Sequence, residues 1–196
     1  PVNNITGVST TTTANAPLTL TGTVLPSNAT YQTITWSVQN AGTTGATIAG
    51  NTLNTTATGT VTVRATITNG TAIGINYTQY FTITVSNSVL GGTVSITGSA
   101  VFGETLTAVT TGLTSTPNVS LGTLSYQWKR SNTNIGTNSA TYVLVEEDIN
   151  QTITVTVSAE NCAGNVISPA TPAVSKASQS APALPTLSST TTTSIT

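Results

Sequence analysis

Apolar and polar residues alternate in short runs along the chain, and turn-forming residues separate these runs. In the first half the alternation is clearest in Val61–Ile67 and Phe81–Val85, and in the second half in Ile153–Val157. A period of two is typical of strands that bury one face. Gly, Asn, Pro and Ser between the runs predict tight turns, and no stretch has a sustained helical period. The pattern therefore predicts an all-β protein.

The two halves of the chain share a layout. Each opens with weak strands, places one tryptophan in a middle strand (Trp36 or Trp128) and closes with a strongly alternating strand. We expect both tryptophans to be core markers, since a buried tryptophan between two sheets is a hallmark of immunoglobulin-like sandwiches. The sequence predicts two tandem immunoglobulin-like β-sandwiches with an extended C-terminal segment. The predicted division is a sandwich over 1–87, a short linker over 88–92, a second sandwich over 93–176, and a Pro/Ser/Thr-rich linker with an orphan strand over 177–196.

Composition adds an unusual surface to this prediction. Only 5% of the residues are charged, against roughly 25% in an ordinary soluble domain. Threonine takes much of their place, with 48 residues. Threonine is β-branched and suits a pleated strand, and its hydroxyl group can face water. We therefore expect strands whose outer face is neutral and hydroxyl-rich.

The charge balance limits the partners. The net charge is −1 and the four Lys and Arg residues are scattered, so nothing indicates the phosphate neutralisation that nucleic acids require. No apolar run approaches the length of about 20 residues that spans a bilayer. Cys162 is the single cysteine and is predicted to be a small buried side chain. We expect an extracellular protein with no nucleic-acid partner and no membrane insertion.

Potential N-glycosylation sites are frequent, in keeping with an exposed extracellular setting. The Asn-x-Ser/Thr pattern occurs at Asn4, Asn28, Asn54, Asn69, Asn76, Asn118 and Asn150. In a chain so rich in Asn, Ser and Thr, many such patterns arise by chance.

Both halves resemble bacterial immunoglobulin-like (Big) repeats. Residues 2–86 carry the resemblance in Leu18–Thr30, Ile34–Ser37 and Ala57–Val63, and residues 92–175 carry it in Gly92–Gly98, Gly103–Leu106, Leu124–Trp128 and Glu147–Ile149. The resemblance implies modules of bacterial adhesins, invasins, surface layers or phage structural proteins. The tail from Pro185 resembles the opening of a fibronectin type III domain, which implies part of a longer surface protein.

Side chains for catalysis are scarce. The chain has no histidine, which removes the commonest general base and metal ligand. Its carboxylates are Glu104, Glu146, Glu147, Asp148 and Glu160. Three of them are consecutive and are predicted to form a solvated turn, with a calcium site as the weaker alternative. Lys129 and Arg130 are expected at a solvated strand end. We predict no enzyme activity and no cofactor.

Three functions remain open. The first is a stalk or spacer segment of a bacterial surface or fibre protein, next to adjacent domains of the same protein. The second is a subunit of an extracellular filament, in which residues 185–196 of one copy add a strand to a neighbouring copy. The predicted strand-donor residues are Thr186, Leu187, Thr191, Thr193 and Ile195, and Val8–Thr13 is a second candidate segment. The third is a carbohydrate-binding module that uses Tyr31, Tyr77, Tyr80 and Phe102.

Overall fold

The computed structural model describes residues 1–177, almost entirely as β-strands. In this part of the chain, strands that precede Asn87 pair only with one another, and strands that follow it do the same. The strands of the first half are β1 (Asn4–Thr6), β2 (Thr11–Thr13), β3 (Leu18–Thr19), β4 (Thr23–Leu25), β5 (Thr35–Asn40), β6 (Thr47–Ala49), β7 (Thr52–Asn54), β8 (Gly59–Ala72) and β9 (Ile75–Ser86).

The first half is a two-layer sandwich. One sheet has the order β2-β9-β8-β5, the other has the order β3-β7-β6, and β1 pairs with β4. The long hairpin β8–β9 forms the centre of the first sheet, and β2 lies parallel to β9 at its edge. Val61, Val63 and Ala65 are fully buried between the sheets, and Trp36 packs in the same core beside Phe81.

The strands of the second half begin directly after Asn87, the single residue that follows β9. They are β10 (Ser88–Thr97), β11 (Thr105–Thr116), β12 (Leu124–Arg130), β13 (Thr133–Ile135), β14 (Thr141–Val143), β15 (Ile153–Ala159), β16 (Cys162–Ala163) and β17 (Val166–Ile167), and a 3-10 helix spans Glu146–Asp148.

The second half is also a two-layer sandwich. Its sheets have the orders β14-β11-β10-β16 and β13-β12-β15-β17. Trp128 is fully buried between them, where its indole Nε1–H donates to the Ser139 carbonyl at 2.8 Å. Cys162 is buried and unbonded in a small satellite core with Leu90 and Ala159.

The strand order in each half defines an immunoglobulin-like sandwich. The strand that carries the tryptophan (β5 or β12) pairs with the long alternating strand next to it (β8 or β15) in one sheet, and the second sheet closes the core. The fold is therefore all-β, made of immunoglobulin-like sandwiches.

Two segments differ from the sequence prediction. Residues 88–92, predicted as a linker, lie in β10, because Val89–Gly92 pair with Leu113–Thr116 of β11. Val8–Thr13 is not a strand without a partner, because Thr11–Thr13 pair with Thr84–Ser86 of the same chain. The predicted C-terminal donor strand, from Thr186 to Ile195, lies outside the described residues.

Candidate functional site

One of the five carboxylates is deeply buried. Glu146 and Glu147 are exposed, but the neighbouring Asp148 has no solvent-accessible surface. The prediction of a solvated turn is therefore wrong for Asp148. The 3-10 turn directs this one side chain inward, beneath the end of β12, where Arg130 reaches it.

Asp148 is held by three donors. Its Oδ1 accepts a bond from Arg130 Nε at 2.6 Å, and its Oδ2 accepts bonds from the Tyr142 hydroxyl at 2.9 Å and the Val145 amide at 2.8 Å. Arg130 is thus not a solvated strand end, since its side chain is only 24% exposed. Both carboxylate oxygens accept bonds from protein donors, so this cluster connects strands β12 and β14.

The Tyr142 hydroxyl gives this cluster a spectroscopic signature. Burial, and then the hydrogen bond to the negatively charged Asp148, raise the pKa of Tyr142 to about 12. Between pH about 10 and about 12, the Tyr142 hydroxyl group keeps its proton in the native state and loses it in the unfolded chain. Stability from this group is therefore full below the ordinary tyrosine pKa of about 10 and is lost as the pH rises through about 12.

We expect a difference titration at 295 nm, wild type minus Tyr142→Phe, to show one phenol with a midpoint near pH 12. Asp148→Asn in the same experiment should move that midpoint downward, because it removes the negative charge that opposes ionisation. A difference midpoint near pH 10 in the wild type would contradict the buried hydrogen bond.

The other charged groups of the described residues include Glu160 and Lys129. Within residues 1–177, no group of three metal-ligating side chains comes together. Glu160 is exposed and accepts a hydrogen bond from the Thr123 amide at 3.1 Å, which lowers its pKa. Lys129 lies on β12 next to Arg130, and its cross-strand neighbours are Thr154 and Asn134.

The aromatic residues do not form one platform. Tyr31, Tyr80 and Phe102 are exposed by 44%, 55% and 42%. Tyr31 lines two shallow pockets, and no other aromatic residue lines either of them. Phe102 belongs to the other half of the chain, and Tyr77 packs against the first core while its hydroxyl donates to Gln79.

The seven potential glycosylation sites are all accessible to some degree. Four asparagines are exposed: Asn28, Asn76, Asn118 and Asn150. Three are half-buried: Asn4, Asn54 and Asn69. Two of these side chains also support the β8–β9 hairpin, because Asn69 Oδ1 accepts from the Gly74 amide and Asn76 Oδ1 from the Asn69 amide.

Threonines form rows across the outer face of the first large sheet. Thr60 pairs with Thr84, which pairs with Thr11, and Thr66 pairs with both Thr78 and Thr35. Cross-strand threonine pairs stabilise a sheet without adding charge. The outer face is thus rich in hydroxyl groups, but it is not neutral as predicted, because Arg64 lies on the same face between Ser37 and Tyr80.

The second sandwich has an apolar groove along one side. The groove lies between β10 and the segment 166–172, and it consists of two cavities of about 550 and 240 Å³ that share Ser95 and Pro169. Val94 and Ile96 lie on one side, and the 57% exposed Ile167 lies on the other. Among the described residues, no strand pairs with Thr93–Thr97 on the side away from β11.

Comparisons with known proteins give no family assignment. No protein-family model and no curated protein sequence matches the chain. One similar solved structure contains immunoglobulin domains 1–5 of Sidekick-1. The match has 15% identity and a TM-score of 0.26, and it covers 86% of this chain and 40% of the other. Three immunoglobulin domains of titin, in a mutated variant, match at 14% identity with a TM-score of 0.29, over 82% of this chain and 61% of the other.

A third similar structure is SGBP-B of the Bacteroides ovatus mixed-linkage glucan utilization locus, in complex with a mixed-linkage heptasaccharide. It matches at 12% identity with a TM-score of 0.26, over 90% of this chain and 45% of the other. The chain spans less than two thirds of each of these three structures. No helix within residues 1–177 is long and apolar enough to cross a membrane.

Proposed function

We propose that the chain is a non-enzymatic extracellular stalk or spacer segment of a bacterial cell-surface or fibre protein. Support comes from the two sandwiches, which follow one another with only Asn87 between β9 and β10. A connection of one residue gives the chain no long flexible tether. The threonine-rich face and the resemblance of both halves to Big repeats agree with such a role.

The observation that carries this proposal is the parallel pairing, in each half, of a strand near its start with a strand near its end, β2 with β9 and β10 with β16. In the first half, β2 lies parallel to β9, and the pair extends through the bonds from the Thr84 amide to the Thr10 carbonyl and from the Ala14 amide to the Ser86 carbonyl, both 2.9 Å. Pulling the two chain ends apart moves parallel strands in opposite directions. All hydrogen bonds of the pair are then loaded together in shear.

The second half repeats this arrangement. Ser88–Val89 of β10 pair in parallel with Cys162–Ala163 of β16, and Val101 pairs in parallel with Ser175. Both halves thus join their entry and exit strands by hydrogen bonds that lie across the pulling direction. A segment that holds a binding tip away from a cell needs this resistance.

We expect Thr12→Pro to lower the force at which the first half unfolds when it is pulled by its ends. Proline in the middle of β2 removes an amide donor and disrupts pairing with β9. Forced unfolding is governed by the unfolding rate rather than by equilibrium stability. Single-molecule force spectroscopy on a tandem repeat of residues 1–177 measures this unfolding force.

Thr19→Pro is the matched control, because β3 is also an edge strand of the first half but pairs only with β7. Both variants should lower the thermal midpoint, and only Thr12→Pro should lower the unfolding force markedly. Equal forces for the two variants would contradict the idea that the β2–β9 pair resists the pulling force.

A second candidate function is a filament subunit that donates residues 185–196 to a neighbouring copy. The observation that favours it is the unpaired side of β10, which leaves main-chain groups free for an added strand. The glycan-binding alternative receives less support, since the exposed aromatic residues do not share a pocket.

A further inference from the structure

We propose that the groove between β10 and residues 166–172 is the acceptor site for the Thr186–Ile195 segment of a second copy of this chain. The inference rests on the second candidate function and adds to it the place where the donated strand binds. The whole chain has many sheet edges, and four features of this one set it apart.

The first feature is that the groove is bounded at both ends. β10 and the last strands of the chain run in the same direction, and they pair at Ser88–Val89 with Cys162–Ala163 and again at Val101 with Ser175. Between these points no strand pairing joins the two edges among the described residues. The parallel pairing that would close the sandwich is therefore interrupted over Leu90–Thr97 of β10, a length of roughly 26 Å in an extended chain.

The second feature is the difference between the two walls. On the 166–172 side, the amides of Ser168 and Thr171 already donate to the Val155 and Ile153 carbonyls at 2.9 and 3.0 Å, and Pro169 and Pro172 have no amide hydrogen. This wall offers apolar surface and few donors. The β10 wall offers the free side of a strand, which is the side that a new strand requires.

The third feature is the match with the segment itself. In an extended conformation Leu187, Thr191, Thr193 and Ile195 face the same side, because residues two apart share a face. Leu187 and Ile195 would lie about 26 Å apart, a distance that matches the unpaired stretch of β10. Neither the groove lining nor residues 178–196 contain a charged side chain.

The fourth feature favours a second copy over the same chain. The described chain ends next to the closed end of the groove, where the Ser175 amide donates to the Ala100 carbonyl. To enter its own groove, the chain would have to reverse direction within residues 178–185, whose Pro182 and Pro185 favour an extended linker. Fully extended, eight residues reach about 25 Å, enough to bridge to a neighbouring copy.

The test is self-association of the full chain, measured by sedimentation velocity over a concentration series. Ile167→Lys places a charge on the groove wall and should weaken association at least about tenfold, because a buried unpaired charge is costly. Ile75→Lys is the matched control, since Ile75 and Ile167 are both 57% exposed. Ala170→Lys provides a second groove variant at an exposed position.

Deletion of residues 186–196 should abolish the association, and the corresponding synthetic peptide should inhibit it. Hydrogen exchange of the Gly92–Thr97 amides should slow in the assembled wild type and not in the deletion variant.

If the deletion abolishes association but both groove variants assemble like Ile75→Lys, the strand is donated elsewhere and this inference is wrong. If the full chain stays monomeric, or the deletion variant assembles equally well, the filament function fails with it. If the Gly92–Thr97 amides exchange more slowly in a monomer of the full chain than in the deletion variant, the chain inserts its own segment, which would also overturn the proposal.

Discussion

Asp148→Ala is expected to destabilise the second sandwich by about 3–5 kcal/mol, because it removes one partner of a buried ion pair. The substitution leaves three donors without their acceptor: Arg130 Nε, the Tyr142 hydroxyl and the Val145 amide. Arg130 retains some contact with water, since its side chain is 24% exposed. We therefore expect a loss near the lower end of that range, measured by chemical denaturation with Trp128 fluorescence.

Glu146→Ala is the control for this prediction. Glu146 lies in the same 3-10 turn, carries the same charge and is exposed, so its removal should change stability by less than about 0.5 kcal/mol. Arg130→Met should be costly as well, because it leaves the Asp148 carboxylate buried without a cation. A double-mutant cycle between Arg130 and Asp148 then isolates the pair. A loss below about 1 kcal/mol in Asp148→Ala would show that water replaces the lost contacts.

The strand positions were predictable wherever one face of a long strand is buried. In Val61–Ile67 every second residue is apolar, and the structure buries those residues fully and leaves Thr62, Arg64 and Thr66 between them half-buried. Period and burial agree here because β8 has neighbours on both sides, β5 and β9, so its register is fixed over its length. The same reason holds for Ile153–Val157 in β15.

Short strands left no such signal. Thr47–Ala49, Thr52–Asn54 and Thr133–Ile135 are three residues long, too short for a period to be visible. They are strands because their partners hold them, and tertiary pairing of this kind outweighs local propensity.

Two glycines gave a misleading signal. Gly91 and Gly92 predicted a turn, yet both pair with β11. Gly92 has a φ of +84°, and a Cβ atom there would collide with the Gly112 carbonyl. Glycine is needed at this position for close approach between two strands next to an irregularity in their pairing, not for a reversal of the chain.

The charged cluster and the groove both depend on residues far apart in sequence. Glu146, Glu147 and Asp148 look alike as a run, and Asp148 is the buried one because Arg130 lies 18 positions earlier on the neighbouring strand. The groove lies where β10 and the later segments, which pair at two points, have no pairing between those points. Neither feature has a local pattern that a sequence could display.

Trp128→Ala is expected to destabilise the second half by about 3–5 kcal/mol, as a large-to-small change in a packed core. Trp128 is fully buried, stacks on Tyr142 at a centroid distance of 5.8 Å and donates to the Ser139 carbonyl. If the two halves are separate folding units, as we propose, the first half should keep its stability. Each half has a single tryptophan, so Trp36 fluorescence in this variant reports the first half alone, with Trp128→Phe as the reference.

Hydrogen exchange of the β15 amides follows the second half in the same sample, and these amides should lose protection. The free energy of unfolding reported by Trp36 should stay within about 0.5 kcal/mol of the reference. The reciprocal variant Trp36→Ala should lower the stability of the first half and leave the Trp128 transition unchanged. Tyr80→Ala controls for loss of an aromatic side chain, because Tyr80 is 55% exposed and should have little effect on either half. A Trp36 transition that shifts together with the loss of β15 protection would mean that the halves unfold as one cooperative unit, and the division at Asn87 would then be a boundary between sheets rather than between domains.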